Sequence, residues 1–306
     1  MELFVAPRAS MRFFKVSTAK RREGLRGALN RLLFAFHWLW VLVVRYVAHQ
    51  SAGNDWKVWR AKAERTGRFL PKKLVVAGDD FGLGVGDWAT LGREGAFPTG
   101  ILRPLPWPLP LVAFPWVAWN RSERHTTTKD WLPSTSTDTG APSLFDKHLG
   151  PAAHDHDADV VILVVGSQDR CPPTETALQA LKICEVLEKQ GAVVLVASPF
   201  IPLAVRENSN DIDENASRRE LTAALKARIA AVREAIVARW PDQGTARVRL
   251  PPDPNDGLLS SKYWRFGGRY PSGAGYREWS RRWKDHIFLA LKTAESKDTH
   301  RLAAGR

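Results

Sequence analysis

Lys72–Thr90 reads KKLVVAGDDFGLGVGDWAT, and this stretch decides the fold of the chain. Its short apolar run, Leu74–Ala77, ends abruptly in Gly78-Asp79-Asp80, and a glycine-rich turn follows. The pattern is typical of a buried strand whose carboxyl end opens into a loop. In open α/β sheets, ligands and catalytic groups collect at that end of the strands. The stretch therefore predicts both an α/β sheet and the edge of the sheet at which a functional site would lie.

Further apolar runs alternate with amphipathic helices along the rest of the chain. Asp159–Gly166 and Ala192–Ser198 are rich in β-branched residues, which is typical of strands buried on both faces. Thr174–Gln190 lies between them with helical periodicity, and Gly191 is a suitable C-cap. The other predicted elements are strands near Trp116–Trp119 and Ala246–Leu250, a helix from the capping box Ser217-x-x-Glu220 to Trp240, and a terminal helix over Ser272–Thr293. This alternation predicts a parallel sheet in a three-layer α/β/α domain.

Composition narrows the class of protein. The chain has 306 residues, 44% hydrophobic and 25% charged, which is ordinary for a globular protein. Its net charge of +13 suits acidic partners such as anionic lipid, nucleic acid or an acidic protein surface, although a solvated basic surface is the simpler explanation. With only Cys171 and Cys184, a disulfide-stapled domain is excluded, and the two lack metal-type spacing. Cys184 falls on the apolar stripe of its helix and is predicted to be core.

Residues 1–31 form a basic arm. They contain eight Lys or Arg residues and two Glu residues, interleaved with apolar side chains. Such a composition is typical of an organelle-targeting segment, and also of an arm that lies on anionic lipid or RNA. We predict that this arm targets the chain to the mitochondrion.

A strongly apolar stretch, Leu32–Val44, follows between two arginines. A helix of this length covers about 20 Å, against a hydrocarbon core of about 30 Å, so it could only just cross a bilayer with the help of its flanks. A helix lying in the membrane plane or docked on a partner protein would also fit. We predict that residues 32–48 form a membrane-anchor or docking helix. The remaining predicted divisions are a linker helix over 49–71, the α/β domain over 72–293 and a polar tail over 294–306.

Four blocks at the predicted strand ends resemble the SGNH/GDSL hydrolase family over roughly Lys72–Leu291. The blocks are Gly78-Asp79 with its Gly-x-Gly-x-Gly-Asp turn, Asn120-Arg121 with the segment 127–133, Gly166 with Asp169, and Pro271–Tyr276. The resemblance implies a flavodoxin-like parallel sheet. It also implies an activity of that family, the cleavage of esters, often lipid or carbohydrate esters.

The positions that carry catalysis in that family hold other residues here. The resemblance puts Asp80 at the serine nucleophile, His125 and Gln168 at the oxyanion-hole glycine and asparagine, and Gly267 and Tyr270 at the triad aspartate and histidine. A carboxylate at position 80 would be a poor nucleophile and would repel the oxyanion, and a tyrosine cannot serve as base at neutral pH. We therefore predict no catalytic residues and a pseudoenzyme, not an enzyme. Asp80, His125, Gln168 and Tyr270 should nevertheless converge in one narrow, polar pocket.

No cofactor or metal site is predicted. Asp79 and Asp80 with Asp169 could bind Mg²⁺, but the resemblance already gives two of them structural roles. The Gly-x-Gly-x-Gly turn at 82–86 misses the spacing of a dinucleotide-binding loop. The three histidines within 148–156 lie in a polar loop and are interpreted as solvated.

An inactive hydrolase domain with a basic arm and an apolar helix fits an accessory subunit of a large assembly. We predict a respiratory complex or the ATP synthase of the mitochondrial inner membrane. The predicted partners are other subunits, and membrane lipid contacted through Leu32–Val44 and the basic arm. A membrane-anchored esterase or lipase with a rearranged active site is the alternative. A second alternative is an organellar ribosome-associated protein, against which the apolar helix argues, so nucleic acid is not an expected partner.

Overall fold

The structure is a computed structural model. It describes residues 32, 33, 35, 36, 39, 72–84, 116–134, 142–153, 155–201, 212–256, 261–265 and 270–304. The predicted basic arm and linker helix, and most of the predicted apolar helix, lie outside these residues.

Five parallel strands form one sheet in the order β2-β1-β3-β4-β5. Their bounds are β1 Lys72–Gly78, β2 Trp116–Asn120, β3 Val160–Val164, β4 Val193–Ala197 and β5 Val248–Arg249. The predicted flavodoxin-like sheet is therefore confirmed. Because β1 lies between β2 and β3, the strand order reverses beside it, and such a switch point is where ligands bind in open α/β sheets.

Helices cover both faces of the sheet. The helices are α1 Asp80–Leu83, α2 Leu144–His148, α3 Pro173–Gln190, α4 Ile212–Arg239 and α5 Gly273–Ala304. Side chains of alternate strand residues point to opposite faces, so Leu74 and Val76 pack under α5, while Val75 and Ala77 pack on the side of α3 and α4. The strands are buried on both faces for this reason, as their uninterrupted apolar runs predict.

Short elements complete the described part. Three 3₁₀ turns lie at Thr128–Trp131, Pro254–Asp256 and Ser261–Tyr263. A small antiparallel pair, β6 Trp264–Arg265 and β7 Tyr270–Pro271, leads into α5. Cys184 of α3 is buried in the hydrophobic core, as predicted, and burial raises the pKa of its thiol far above the usual value.

Two helix boundaries differ from the sequence prediction. The helix predicted to start at the Ser217 capping box begins at Ile212 instead. The sequence there, Asp213-Glu214, has the acidic composition typical of a first helical turn. The terminal helix does not end at Thr293 but continues to Ala304, so most of the predicted polar tail 294–306 is helical.

The predicted apolar helix is represented by five described residues. Leu32, Leu33, Ala35, Phe36 and Leu39 are helical, and their side chains are exposed. No helix within the described residues is long and apolar enough to span a membrane.

Candidate functional site

The site begins where β1 passes very close to β3. Gly78 has φ +144°, and a Cβ atom there would lie 1.8 Å from the carbonyl oxygen of Val164. Only glycine fits such an approach, which lets the Asp79 N–H donate to the same carbonyl at 2.9 Å. The chain then turns into α1, with Asp79 as its N-cap and Asp80 as its first residue. The turn at Gly78 thus places the carboxylates of Asp79 and Asp80 at the carboxyl edge of the sheet, next to the switch point.

Asp80, His125 and Tyr270 meet at this edge, as the sequence predicted. The Oδ1 atom of Asp80 accepts the backbone N–H of His125 at 2.8 Å, and Oδ2 accepts the Tyr270 hydroxyl at 3.1 Å. The Nδ1 atom of the His125 ring lies 3.7 Å from Asp80 Oδ2. The Asp80 side chain is 0% exposed, whereas the His125 side chain is 54% exposed. A buried carboxylate therefore stands behind an imidazole that faces outward.

His125 holds a strained backbone conformation. Its φ of +57° makes it the non-glycine residue with positive φ in the described part of the chain. Such residues are uncommon and cluster at functional sites, where the surrounding contacts enforce the strain. Here Glu123 N–H donates to the Gly78 carbonyl at 2.9 Å, and the Thr126 hydroxyl donates to the same carbonyl at 3.2 Å. Both bonds tie the loop that carries His125 to the end of β1.

An aromatic cluster fixes Tyr270. Its ring centroid lies 5.7 Å from that of Phe81 on α1, and Phe81 lies 5.3 Å from Phe200 after β4. Phe200 in turn packs edge-on against Trp279 of α5 at 4.6 Å. Stacked and edge-to-face rings restrict one another, so the Tyr270 hydroxyl is held against Asp80.

Of the other two family positions, one is described and the other lies outside the described residues. Gln168 is half-buried in the loop after β3, and within the described residues its side chain forms no hydrogen bond to Asp80, His125 or Tyr270. The predicted convergence of four side chains is thus observed for three. Gly267, predicted at the position of the triad aspartate, lies outside the described residues.

Ser167, which the sequence analysis did not single out, contacts the first carboxylate. Its hydroxyl and its backbone N–H both donate to Asp79 Oδ2, the latter at 3.3 Å, while Asp79 Oδ1 accepts the Phe81 N–H at 3.0 Å. Burial, together with the neighbouring charge of Asp80, raises the pKa of Asp79 to about 7 against the opposing effect of the Ser167 hydrogen bonds. The only signal in the sequence was the position of Ser167, directly after the Gly166 turn.

Asp79→Asn should reverse a loss of stability at neutral pH. A carboxyl whose pKa is about 7 in the folded state and 3.8 in the reference state destabilises the fold progressively as pH rises from 4 to 7. Asparagine caps a helix as well as aspartate does and carries no charge. The amide nitrogen that replaces Oδ2 cannot accept the Ser167 N–H, which adds a cost that does not depend on pH. Chemical denaturation should therefore show the stability difference moving in favour of the variant by up to about 4 kcal/mol between pH 4 and 7.

Asp253→Asn is the matched control for this experiment. Asp253 Oδ1 also accepts a backbone N–H two residues ahead, from Asn255 at 2.8 Å, but the residue is only half-buried. Because solvent reaches this carboxylate, Asp253→Asn measures the cost of the amide substitution itself, without relief of a buried charge. A difference between Asp79→Asn and wild type that does not change from pH 4 to 7 would mean that Asp79 is ionised without penalty in the folded protein.

Asp169 has the structural role that the resemblance implied. Its two oxygens accept the backbone N–H of Thr128 at 2.7 Å and the Thr128 hydroxyl at 2.6 Å. Asp79 and Asp169 thus both accept hydrogen bonds from nearby groups of the protein. Within the described residues, no group of three or more His, Cys, Asp or Glu side chains could hold a metal ion.

Glu123 links the His125 loop to α2. Its Oε1 atom accepts His148 at 2.9 Å and the Lys147 ammonium at 2.8 Å. The hydrogen bond from His148 lowers the pKa of Glu123 to about 2. His148 is therefore a partner of Glu123 and not the solvated loop histidine that the sequence analysis expected.

A network of buried ion pairs also holds the loop that carries His125. Asp155, before β3, accepts Arg121 Nε and lies 3.6 Å from the Lys73 ammonium of β1. Lys73 also contacts Asp157, whose side chain is 44% exposed. Arg121 follows β2 directly, so the network connects the first three strands and anchors the segment that leads to His125.

Comparison with known sequences finds no match, whereas comparison with solved structures does. No family of known sequences matches the chain, and no curated protein matches it. A carbohydrate acetylesterase family member from Sinorhizobium meliloti is 12% identical with a TM-score of 0.47, over 72% of this chain and 99% of that one. A carbohydrate esterase family 3 structure from Talaromyces cellulolyticus is 12% identical with a TM-score of 0.45, over 72% and 98%. An extracellular lipase from Streptomyces rimosus is 15% identical with a TM-score of 0.37, over 73% and 100%.

Likeness at these identities concerns the fold alone, and the strand order of the sheet with helices on both faces is what confirms the predicted three-layer α/β/α architecture. The prediction that the chain is not an enzyme runs against these comparisons, in which the similar structures are described as esterases and a lipase. The physical error behind that prediction was to treat Asp80 as a nucleophile facing the substrate. Its carboxylate is buried, and the outward-facing group is His125.

Proposed function

We propose that the chain is an ester hydrolase in which His125 acts as general base on water and Asp80 positions it. One observation carries the proposal. A fully buried carboxylate, Asp80, lies 3.7 Å from Nδ1 of an exposed imidazole, beside the switch point of a parallel sheet. The ester substrate is taken from the resemblance of the sequence to SGNH hydrolases.

Exposure assigns the two roles. Asp80 has both oxygens engaged, by the His125 N–H and the Tyr270 hydroxyl, and its side chain is 0% exposed. It cannot approach a carbonyl carbon without breaking both bonds. His125 presents more than half of its side chain to solvent and can reach a water molecule or a substrate. In place of the family's serine nucleophile and histidine base, the proposed site has an orienting carboxylate, Asp80, and a base, His125.

The reaction requires no covalent intermediate. His125 takes a proton from a water molecule as the water oxygen bonds to the ester carbonyl carbon, which gives a tetrahedral oxyanion. The imidazolium then gives its proton to the leaving alkoxide as the carbon–oxygen bond breaks, and acid and alcohol are released. The nearby Asp80 carboxylate stabilises the imidazolium, because a buried anion attracts a cation more strongly than solvent-exposed charges do. General acid–base catalysis of this kind contributes about 10²–10⁴-fold.

The proposed location of the hydrolase at a lipid surface rests on the apolar helix. Leu32, Phe36 and Leu39 have helical spacing and exposed side chains, and a basic arm precedes them in the sequence. These features support an enzyme held at a lipid surface. The predicted place in a mitochondrial inner-membrane complex, with its partner subunits, stays a prediction.

Asp80→Asn tests the proposal in the full-length protein, purified in mild detergent. Asparagine keeps the shape of the side chain but cannot stabilise an imidazolium by charge. With p-nitrophenyl acetate or butyrate as substrate, we expect kcat to fall by about 10²–10⁴-fold while KM changes little.

His156→Gln is the matched control, because His156 is another exposed histidine, bonded through Nδ1 to the Ala153 carbonyl at 2.9 Å. It should retain the wild-type rate. Equal rates for wild type and Asp80→Asn would exclude the Asp80–His125 pair as the catalytic unit.

A further inference from the structure

Tyr270 reaches Asp80 from a distant part of the chain. It lies on β7, the short strand that leads into α5, and 190 residues separate it from Asp80. Both residues are buried, with Tyr270 3% exposed. A buried tyrosine hydroxyl usually finds a hydrogen-bond partner, and a bond to a carboxylate is stronger than a bond between neutral groups. The contact therefore ties β7 to the first residue of α1.

Two donors fix the plane of the Asp80 carboxylate. Oδ1 accepts the backbone N–H of His125 at 2.8 Å, and Oδ2 accepts the Tyr270 hydroxyl at 3.1 Å. The last torsion of an aspartate side chain has a broad range when nothing restrains it. Here a rotation of the carboxylate would break the bonds at both oxygens. Oδ2 therefore stays 3.7 Å from Nδ1 of the His125 ring.

The position of Oδ2 bears on which nitrogen of His125 carries the proton. A neutral imidazole has one proton, and the group beside one ring nitrogen selects the tautomer. A carboxylate oxygen is negatively charged and only accepts hydrogen bonds, so it favours a proton on the nitrogen that faces it, which is Nδ1. In that tautomer Nε2 carries the lone pair that can take a proton from water.

We infer that Tyr270 is a positioning residue: its hydroxyl holds Asp80 Oδ2 at Nδ1 of His125, so that the imidazole keeps its proton on Nδ1 and acts as base through Nε2. The catalytic part of this role rests on the proposed ester hydrolysis, whereas the tautomer is a property of the resting protein. Tyr270 needs no contact with the ester and acts only through Asp80.

Nitrogen NMR of the histidine rings tests the tautomer without a substrate. The full-length protein in mild detergent is labelled with ¹⁵N in histidine and measured at a pH at which the imidazoles are neutral. The His125 signals are identified by their loss in His125→Gly. We expect the wild-type proton on Nδ1. In Tyr270→Phe, which keeps a ring against Phe81 but removes the hydroxyl, the proton should redistribute toward Nε2.

Tyr263→Phe is the matched control. Tyr263 packs against the same hydrophobic core as Tyr270, and its ring lies 4.8 Å from the Lys262 ammonium. Loss of this hydroxyl should leave the His125 tautomer as it is in wild type. A redistribution of equal size in both variants would mean that a general loosening of the core, and not the bond to Asp80, moves the proton.

Kinetics test the catalytic consequence. With p-nitrophenyl acetate, Tyr270→Phe should lower kcat by about 10-fold with little change in KM, the scale of one hydrogen bond to a charged group. In an Asp80→Asn background, Tyr270→Phe should lower kcat no further, because its effect passes through the Asp80 carboxylate. Losses that multiply in the double variant would refute a role through Asp80.

The two proposals fail in different ways. A wild-type proton on Nε2, or equal tautomer populations in wild type and Tyr270→Phe, would overturn the positioning role even if esters are hydrolysed. The expected tautomers without any hydrolysis would support the positioning of His125 and refute the proposed function. If Tyr270→Phe does not fold, replacement of tyrosine by 3-fluorotyrosine, a stronger hydroxyl donor, should shift the His125 ring signals, and unchanged signals would refute the role.

Discussion

Asp155→Ala should lower the free energy of unfolding by about 3–5 kcal/mol, which is the cost of removing one partner from a buried ion network. Asp155 is 1% exposed and sits between the Arg121 guanidinium and the Lys73 ammonium. Removing its carboxylate leaves two like charges buried side by side. Urea denaturation at pH 7 measures the difference directly.

Asp157→Ala provides the comparison, because it removes another carboxylate that contacts the Lys73 ammonium. Its side chain is 44% exposed, and exposed ion pairs contribute about 1 kcal/mol or less. A cost for Asp155→Ala no larger than that for Asp157→Ala would mean that solvent reaches the network and that it does not anchor the strand ends.

His125→Gly should abolish ester hydrolysis without destabilising the protein. A left-handed backbone costs a residue with a Cβ atom about 1–2 kcal/mol, and glycine avoids this cost, although its freer unfolded chain offsets about 0.5–1 kcal/mol. Glycine also keeps the backbone N–H that donates to Asp80. We expect a free energy of unfolding equal to wild type or up to about 1 kcal/mol higher, with kcat/KM lower by about 10²–10⁴-fold.

His125→Ala separates the two effects, because alanine removes the imidazole but keeps the backbone strain. It should be as inactive as His125→Gly and less stable. If His125→Gly hydrolyses esters at the wild-type rate, the strained histidine has no catalytic role.

Much of the fold could be predicted because its strands are buried on both faces. The continuous apolar runs that became β1, β3 and β4 can only be satisfied inside a sandwich, and Gly191 ends α3 as its sequence position indicates. Helix ends were less predictable where polar residues with good helical propensity follow, as after Thr293. There the pattern does not contain a stop.

The site could be predicted in part of its membership but not in its orientation. The resemblance to SGNH hydrolases placed Asp80, His125, Gln168 and Tyr270 in one pocket, and contacts join Asp80, His125 and Tyr270. It could not reveal that Asp80 is buried, since that depends on the Phe81–Phe200 aromatic packing and on hydrogen bonds from distant loops. The residue types alone suggested a failed nucleophile, whereas burial turns the same carboxylate into a support for His125.

The pH dependence of ester hydrolysis by the full-length wild-type protein tests the central claim most directly. A histidine base must be neutral to accept a proton, so kcat/KM should rise with pH as the imidazole loses its proton and then level off. We expect this profile in wild type and its disappearance in His125→Gly. A wild-type rate no greater than that of buffer, or a rising profile that persists without His125, would contradict it.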